Sequence, residues 1–176
     1  TGVDLVGMDL TGTILTGVDL TGLELSGVDL TSSILTGFDL AGKDLTNTNL
    51  TGVDLAGMDL TSTILTGVDL SGKDLTGTIL TGANLSRANL TGVDLSEMDL
   101  TGTILTGADL ADKDLTGTTL TRDNLTKANL TGVDLSGMDL TCRILTSADL
   151  TCFSLSVVAL HTTILPRTAL TSHILT

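Results

Sequence analysis

The sequence has almost no aromatic residues: it contains no tryptophan and no tyrosine, and its only phenylalanines are Phe38 and Phe153. Aromatic rings are the usual platforms on which proteins stack nucleic-acid bases. They are also the usual anchors of binding hot spots between proteins. The sequence therefore predicts neither a base-stacking surface nor an aromatic-anchored interface.

The residue types of catalytic and metal sites are also scarce. The two histidines, His161 and His173, and the two cysteines, Cys142 and Cys152, do not stand at metal-ligand spacing. No G-x-G-x-x-G phosphate loop occurs, and aspartates repeated in one environment do not supply the two contrasting carboxylates that acid–base chemistry needs. We expect a protein that is not an enzyme and that has no metal and no cofactor.

Long apolar runs and targeting signals are missing as well. No stretch of 18 apolar residues occurs, so no membrane-spanning helix is expected. The absence of a visible signal peptide, together with unpaired cysteines, slightly favours a cytoplasmic location.

What the chain has instead is a leucine at every fifth position, from Leu5 to Leu175. A period of five fits neither the 3.6-residue helix nor the two-residue strand, so each pentapeptide must be one unit of a repeat array. All 20 glycines, from Gly2 to Gly137, occupy the same position of the unit, which is two residues after the leucine of the preceding unit in every case but Gly2. Glycine confined to one position of the unit predicts a backbone corner with positive φ.

Units such as Ala88-Asn89-Leu90-Thr91-Gly92 and Ala108-Asp109-Leu110-Ala111-Asp112 resemble the A(D/N)LXX unit of the pentapeptide repeat family. The resemblance implies an all-β fold, a right-handed quadrilateral β-helix with four units per coil. The leucine and the residue two before it would point inward and the other three outward. We expect one solenoid domain over residues 1–176, with about eight to nine coils stacked at ~4.8 Å into a rod of about 42 Å.

A longer period lies above the pentapeptide: residues 51–90 and 91–130 align over their whole length. Forty residues are two coils, so equivalent residues fall on the same side of the rod. The unit before residue 51 is shorter by half a coil, and we expect the sides to exchange by about 180° near residue 50. One outward column then becomes an acidic ladder, the candidate interaction site: Asp54, Asp74, Asp94, Asp114 and Asp134.

The net charge of −13 is the strongest functional signal. It excludes nucleic acid as a direct partner and favours a protein partner with a basic groove. The leading hypothesis is a rigid scaffold or protein-interaction rod. Family members linked to fluoroquinolone resistance are understood to bind type II topoisomerases as DNA mimics, so the resemblance implies gyrase as an alternative partner. This chain lacks their aromatic-rich C-terminal segment and inserted loop. Threonine columns offer a third hypothesis, binding to ice or to an extracellular surface.

Four cations break the inward rule, because Lys43, Lys73, Lys113 and Arg143 stand two residues before a leucine. An unpaired buried ammonium would be unstable by several kcal/mol. We expect the coils to widen there, with the lysine stem along the wall and its head emerging.

The segment 151–176 contains no Asp or Glu. We interpret it as degenerate final coils that either cap the rod or form an end for self-association, giving a possible homo-oligomer. The candidate residues for association are Val157, Val158, Ile164 and Ile174. Cys142 and Cys152 stand two units apart in one coil, on opposite sides, and are expected to be free thiols.

Overall fold

The computed structural model describes residues 5–16, 24–37, 39–134 and 145–148, together with the backbone of two short strands. These strands are β1, Ser154–Leu155, and β2, Ile174–Leu175. They pair in parallel, Ser154 with Ile174 and Leu155 with Leu175. No helix long and apolar enough to cross a membrane occurs among the described residues.

The coil is twenty residues long. Each isolated β-bridge joins a residue to the one twenty positions later, as in Asp9 with Asp29 and Ile64 with Asn84. All are parallel, and the pairing of β1 with β2 has the same offset. Four pentapeptides therefore make one turn of a solenoid, in agreement with the β-helix that the sequence predicts.

The corners are four-residue turns that begin at the leucine. The leucine carbonyl accepts a hydrogen bond from the amide three residues on, as in Met8 to Leu5 at 3.0 Å. The third residue of the turn is left-handed, with φ of 63° to 78° at the described glycines. The predicted glycine corners are thus confirmed. Nine other residues hold φ of 55° to 62° at the same position, namely Ser32, Asn47, Ser62, Arg87, Glu97, Asp112, Arg122, Lys127 and Ser147.

Where an aspartate or asparagine precedes the leucine, its side chain stabilises the corner that follows. Its Oδ1 accepts a hydrogen bond from the amide two residues on, which lies 2.8 Å away for Asp74 and Thr76. Asn124 does the same for Thr126 at 3.1 Å. Short polar side chains that bond their own backbone in this way stabilise turns. The preference for Asp or Asn is therefore structural as well as electrostatic.

The core is the leucine ladder, lined by the residues two positions before each leucine. Leu40, Leu65 and Leu105 are completely buried. Hydroxyls at the lining positions bond to carbonyls of the preceding coil, as Thr63 does to Leu40 at 2.8 Å. Because these hydroxyls are paired inside, threonine and serine enter the core with their hydroxyl groups hydrogen-bonded.

Two opposite sides of the solenoid differ in how well their coils pair. We call the rows centred on Ile64, Asn84, Ile104 and Asn124 the paired face, and the rows centred on Asp54, Asp74, Asp94 and Asp114 the acidic face. On the paired face the backbone bonds form in every row, for example Leu65 to Asn84 at 2.8 Å and Ile104 to Ala83 at 3.0 Å. On the acidic face, whose four rows are all described, no backbone hydrogen bond joins the central residues of one row to those of the next, namely 53–55, 73–75, 93–95 and 113–115. The bonds between these rows lie at the corners, as in Gly57 to Thr76 at 2.9 Å.

The two sides also differ in their lining residues, since Ala83 lines the paired face whereas Val53 and Lys73 line the acidic face. The size of the lining side chain does not by itself prevent pairing, because the carbonyl of Val68, on another side, accepts the amide of Asn89 at 3.0 Å. In its backbone bonds, the solenoid is closed along one side and spread along the other.

On the spread side, a lysine side chain donates to the carbonyl that a backbone amide of the next coil would otherwise bind. Lys73 Nζ donates to the carbonyl of Val53 at 2.7 Å, and Lys113 Nζ donates to that of Val93 at 2.9 Å. The backbone bonds are missing at Lys73 and Lys113, as the expected widening requires, but not at Lys43, whose carbonyl accepts the amide of Ile64 at 2.9 Å. The ammonium groups of Lys73 and Lys113 are bonded to the preceding coil, and both residues are half-buried. A carbonyl left without its backbone donor binds the ammonium instead. Arg143 lies outside the described residues.

The predicted exchange of sides near residue 50 is visible in the register. Asp44 pairs with Ile64 in the column of the paired face. Ile14 pairs with Ile34 in the column that Asp54 continues. Apolar and acidic residues thus change places between the first coils and the later ones.

Candidate interaction face

The acidic ladder stands on one side of the rod, since its members are twenty residues apart. Asp54, Asp74, Asp94, Asp114 and Asp134 are all exposed. In the first four, Oδ1 accepts the amide two residues on, at distances from 2.8 to 3.0 Å. Each of these four carboxylates therefore has one oxygen engaged in its own corner and a second oxygen available to a partner.

These corner bonds also keep the ladder charged. The Thr76 hydroxyl and amide lower the pKa of Asp74, and the Thr116 hydroxyl and amide lower that of Asp114. The Ser96 amide and hydroxyl lower the pKa of Asp94, against a smaller opposing effect of the Asp114 charge. Hydrogen bonds to the ionised form favour it, so the face remains anionic at neutral pH.

Two clefts open between the separated coils of this side. One, of about 570 Å³, is lined by residues 32–37, 52, 54 and 56–59. The other, of about 440 Å³, is lined by residues 72–78, 92, 94 and 96–99. They are forty residues apart along the chain, and Met58 and Met98 take equivalent places in them. The long sequence period thus reappears as a repeated surface feature.

The clefts do not assemble a metal site. Within the described ranges, no group of three or more His, Cys, Asp or Glu side chains is arranged to hold a metal ion. Lys73, which lines the second cleft, has its pKa lowered by burial, while the charges of Asp54 and Asp69 act in the opposite direction. The clefts and the exposed carboxylates beside them therefore form a negatively charged, concave surface that a partner could contact.

The neighbouring column carries its carboxylates differently. Asp69 pairs with Asn89, and Asp109 pairs with Asn129. The amide of Asn129 donates to Asp109 Oδ1 at 2.9 Å. An asparagine between stacked carboxylates relieves their repulsion, so this side is less strongly anionic than the ladder.

The threonine columns are tied into the corners. Thr31 Oγ1 lies 2.5 Å from Asp29 Oδ1, and Thr126 Oγ1 lies 2.6 Å from Asn124 Oδ1. Thr101 and Thr121 share a hydrogen bond of 3.0 Å between their hydroxyls. These hydroxyls have a structural use within the chain, which weakens the inference of a surface built to bind ice.

The predicted association end falls almost wholly outside the described residues. This applies to Val157, Val158 and Ile164, and likewise to Cys142 and Cys152. Ile174 is described only through the backbone of β2.

Comparison with known proteins identifies the family. The chain matches the profile described as pentapeptide repeats in eight copies, which cover residues 1–37, 35–67, 69–107, 83–122, 105–137 and 124–156. This protein therefore belongs to the pentapeptide repeat family. None of the curated proteins matches the chain significantly.

Solved structures resemble the chain to different degrees. HetL, a pentapeptide repeat protein involved in heterocyst differentiation regulation from the cyanobacterium Nostoc sp. strain PCC 7120, is 32% identical with a TM-score of 0.53. The match covers 99% of this chain and 90% of HetL. QnrB1, a plasmid-mediated fluoroquinolone resistance protein, is 19% identical with a TM-score of 0.42, over 94% of this chain and 84% of QnrB1. A thylakoid-lumen protein of Arabidopsis thaliana is 28% identical with a TM-score of 0.20, over 76% and 68%.

Proposed function

We propose that this protein is a non-catalytic, rigid scaffold whose acidic face binds a protein partner with a basic groove. The observation that carries the proposal is the ladder of Asp54, Asp74, Asp94 and Asp114, each held by its own corner. Fixed charges gain more on binding than mobile ones, because less side-chain freedom is lost. For the whole chain we propose one right-handed domain of about eight to nine coils.

The experiment compares two variants that carry the same charge. In the first, Asp54, Asp74, Asp94 and Asp114 become asparagine; in the matched control, Asp59, Asp69, Asp99 and Asp109 do. Both change the net charge from −13 to −9. Asparagine keeps the Oδ1 acceptor, so the corners remain intact.

Binding is measured by calorimetry with a lysine dodecapeptide as the basic probe. We expect the ladder variant to lose about tenfold in affinity and the control to lose much less, because rigid charges act locally at physiological salt. An equal loss in both variants would show that only net charge matters, and would refute a dedicated face.

A type II topoisomerase is the second candidate, as the specific form that a basic-groove partner would take. It is favoured by the regular repeat of the ladder, which has one carboxylate per coil on one side of the rod. The test is a gyrase supercoiling assay titrated with the protein. Dose-dependent inhibition, lost in the ladder variant and kept in the control, is the expected result; no effect at a large molar excess would exclude this partner.

We also propose that the segment 151–176 ends the solenoid as a cap or as an association end formed by Val157, Val158, Ile164 and Ile174. The twenty-residue offset between β1 and β2 supports continuation of the coil register into this segment. Sedimentation of the full chain beside a chain ending at Leu150 separates the two roles, since only an association end makes the full chain the larger species.

A further inference from the structure

The paired face is a flat sheet over four coils. Its central column of Ile64, Asn84, Ile104 and Asn124 is bridged from each row to the next. Threonine and serine flank this column in every row, and Ile104 is 37% exposed. A regular, fully bonded sheet of this kind presents a rigid surface.

This face carries no outward acid. Its rows, 61–67, 81–87, 101–107 and 121–127, are entirely described, and their only acidic residue, Asp123, points inward and is 1% exposed. In a chain with 21 Asp and Glu residues, an acid-free side is unexpected. It marks a surface that differs in chemistry from the rest of the rod.

Cations stand at the edges of the same face. Arg87, Arg122 and Lys127 are exposed at its corners. They include every cation that stands at an outward position of the described ranges, since Lys43, Lys73 and Lys113 are lining residues. Within those ranges none of the three has an ion-pair partner, despite the large excess of acid.

The acidic face lies on the opposite side, two pentapeptides away around the coil. Its rows, 52–57, 72–77, 92–97 and 112–117, have no outward cation. They carry six outward acids, Asp54, Asp74, Asp94, Glu97, Asp112 and Asp114. One molecule thus displays two complementary faces.

We propose that the paired face binds the acidic face of a second copy of this chain, with the two rods side by side. Arg87 and Lys127 are two coils apart, ~9.6 Å along the axis. Asp74 and Asp114 are likewise two coils apart on the acidic face, so the two cations and the two carboxylates follow the same repeat. Asp94 lies between these two carboxylates on the acidic face. The side chains opposite it are the threonine hydroxyls and asparagine amides of the paired face, which donate hydrogen bonds to a carboxylate.

The contact is heterologous, because different faces meet, so a second molecule still offers a free face of each kind and the contact propagates. Net repulsion between the acidic rods opposes it at low ionic strength. At about 0.1 M salt the Debye length is ~10 Å, so long-range repulsion is screened while pairs in contact persist. Association is therefore expected at near-physiological salt and is weaker in dilute buffer.

The test uses two full-length variants, each with one face blocked. Arg87→Glu with Lys127→Glu removes cations from the paired face, and Glu97 shows that glutamate is accepted at such a corner. Asp74→Asn, Asp94→Asn and Asp114→Asn neutralise the acidic face and keep the corner bonds. The matched control for the second variant is Asp59→Asn, Asp69→Asn and Asp109→Asn, on other sides of the rod.

Sedimentation velocity at about 0.1 M salt gives the readout. Wild type and the control are expected to form species larger than dimers at high micromolar concentration. Each blocked variant alone should associate about tenfold more weakly or remain monomeric. An equimolar mixture of the two blocked variants should form a dimer and nothing larger, because only one productive contact remains.

Monomeric wild type at high micromolar concentration would overturn the proposal. Association that persists unchanged in both blocked variants would do so too, since it would place the contact elsewhere, for example at the chain ends. Only purified chain is used, so the outcome is independent of whether the acidic face also binds a basic-groove protein.

Discussion

The ammonium nitrogen of Lys73 lies 2.7 Å from the carbonyl oxygen of Val53, the residue twenty positions earlier at the same lining position. On the paired face the corresponding carbonyl, that of Ala83, accepts the amide of Ile104. A side chain thus replaces a main-chain donor, and the coils stay apart beneath the acidic ladder. Lys73 therefore supplies, through its side chain, the hydrogen bond to the Val53 carbonyl that the backbone does not make on this side.

Lys73→Met tests this replacement. Methionine keeps the length of the side chain but has no donor, so Val53 loses its partner in a partly buried place. A hydrogen-bonding group left unsatisfied destabilises a fold by about 1–3 kcal/mol. We expect that loss in urea unfolding, whereas Lys127→Met, at an exposed corner, should change stability by less than about 0.5 kcal/mol. Equal stability of the two variants would show that the Lys73 bond does not stabilise the fold.

Amide hydrogen exchange should reveal the spread side directly. Among the described residues, no acceptor is found for the amides of Asp74, Asp94 and Asp114, whereas those of Asn84 and Ile104 are bonded to the preceding coil. Unbonded amides exchange without an opening step. We expect the three aspartate amides to exchange orders of magnitude faster by NMR. Similar protection on both faces would show that the acidic face is closed in solution.

Stability should fall in acid. Hydrogen bonds from the following threonine or serine lower the pKa below 3.8 for Asp9, Asp29, Asp59, Asp69, Asp74, Asp94, Asp99 and Asp114. A carboxyl with a lower pKa in the folded state stabilises the fold above its unfolded pKa, and that contribution is lost as the pH falls through the folded value. The Tm should therefore be level above about pH 5 and decrease below pH 3.8.

The variant with asparagine at positions 74, 94 and 114 supplies the control for this pH dependence. Its corner bonds no longer depend on ionisation, so its Tm should decrease less in acid than that of the wild type. Protonation also relieves repulsion such as that between Asp94 and Asp114, which acts in the opposite direction but is a smaller effect. A wild-type Tm that rises on acidification would mean that repulsion dominates.

The repeat itself could be predicted from the sequence, because leucine and glycine each meet a requirement of a single position, burial for leucine and positive φ for glycine. Leu90 stands where the core must be filled, and Gly92 stands where φ is positive at 71°. Widening at Lys73 could also be predicted, but its hydrogen bond to the carbonyl of Val53 could not, because it joins residues twenty apart. Asp123 was missed for the same reason: its Oδ1 accepts the Thr103 amide of the preceding coil at 2.8 Å.

The acidic face remains a prediction as a binding site. Regular spacing placed Asp54 and Asp114 in one column, which agrees with the twenty-residue offset of the β-bridges. Spacing could not show that one oxygen of each is already used by Ala56 or Thr116. The absence of outward acid around Ile104 is not visible in any single pentapeptide, because it appears only when rows twenty residues apart are stacked.

Corner side chains lean over the corner of the next coil, and this determines where glycine is required. A Cβ added to Gly132 would collide with the carboxylate of Asp112, twenty residues earlier. A Cβ added to Gly57 would meet nothing within 4 Å. Both glycines have positive φ, 76° and 70°, so alanine at either place is strained by about 1–2 kcal/mol.

The collision should make Gly132→Ala the more harmful of the two substitutions. The double variant Gly132→Ala with Asp112→Gly should recover to the level of Gly57→Ala or better, because it removes the collision together with one strained corner. Thermal unfolding of the four proteins checks the order. If Gly132→Ala and Gly57→Ala lower the Tm equally, backbone strain alone accounts for glycine at these corners, and the stacking of corners from coil to coil places no further demand on the sequence.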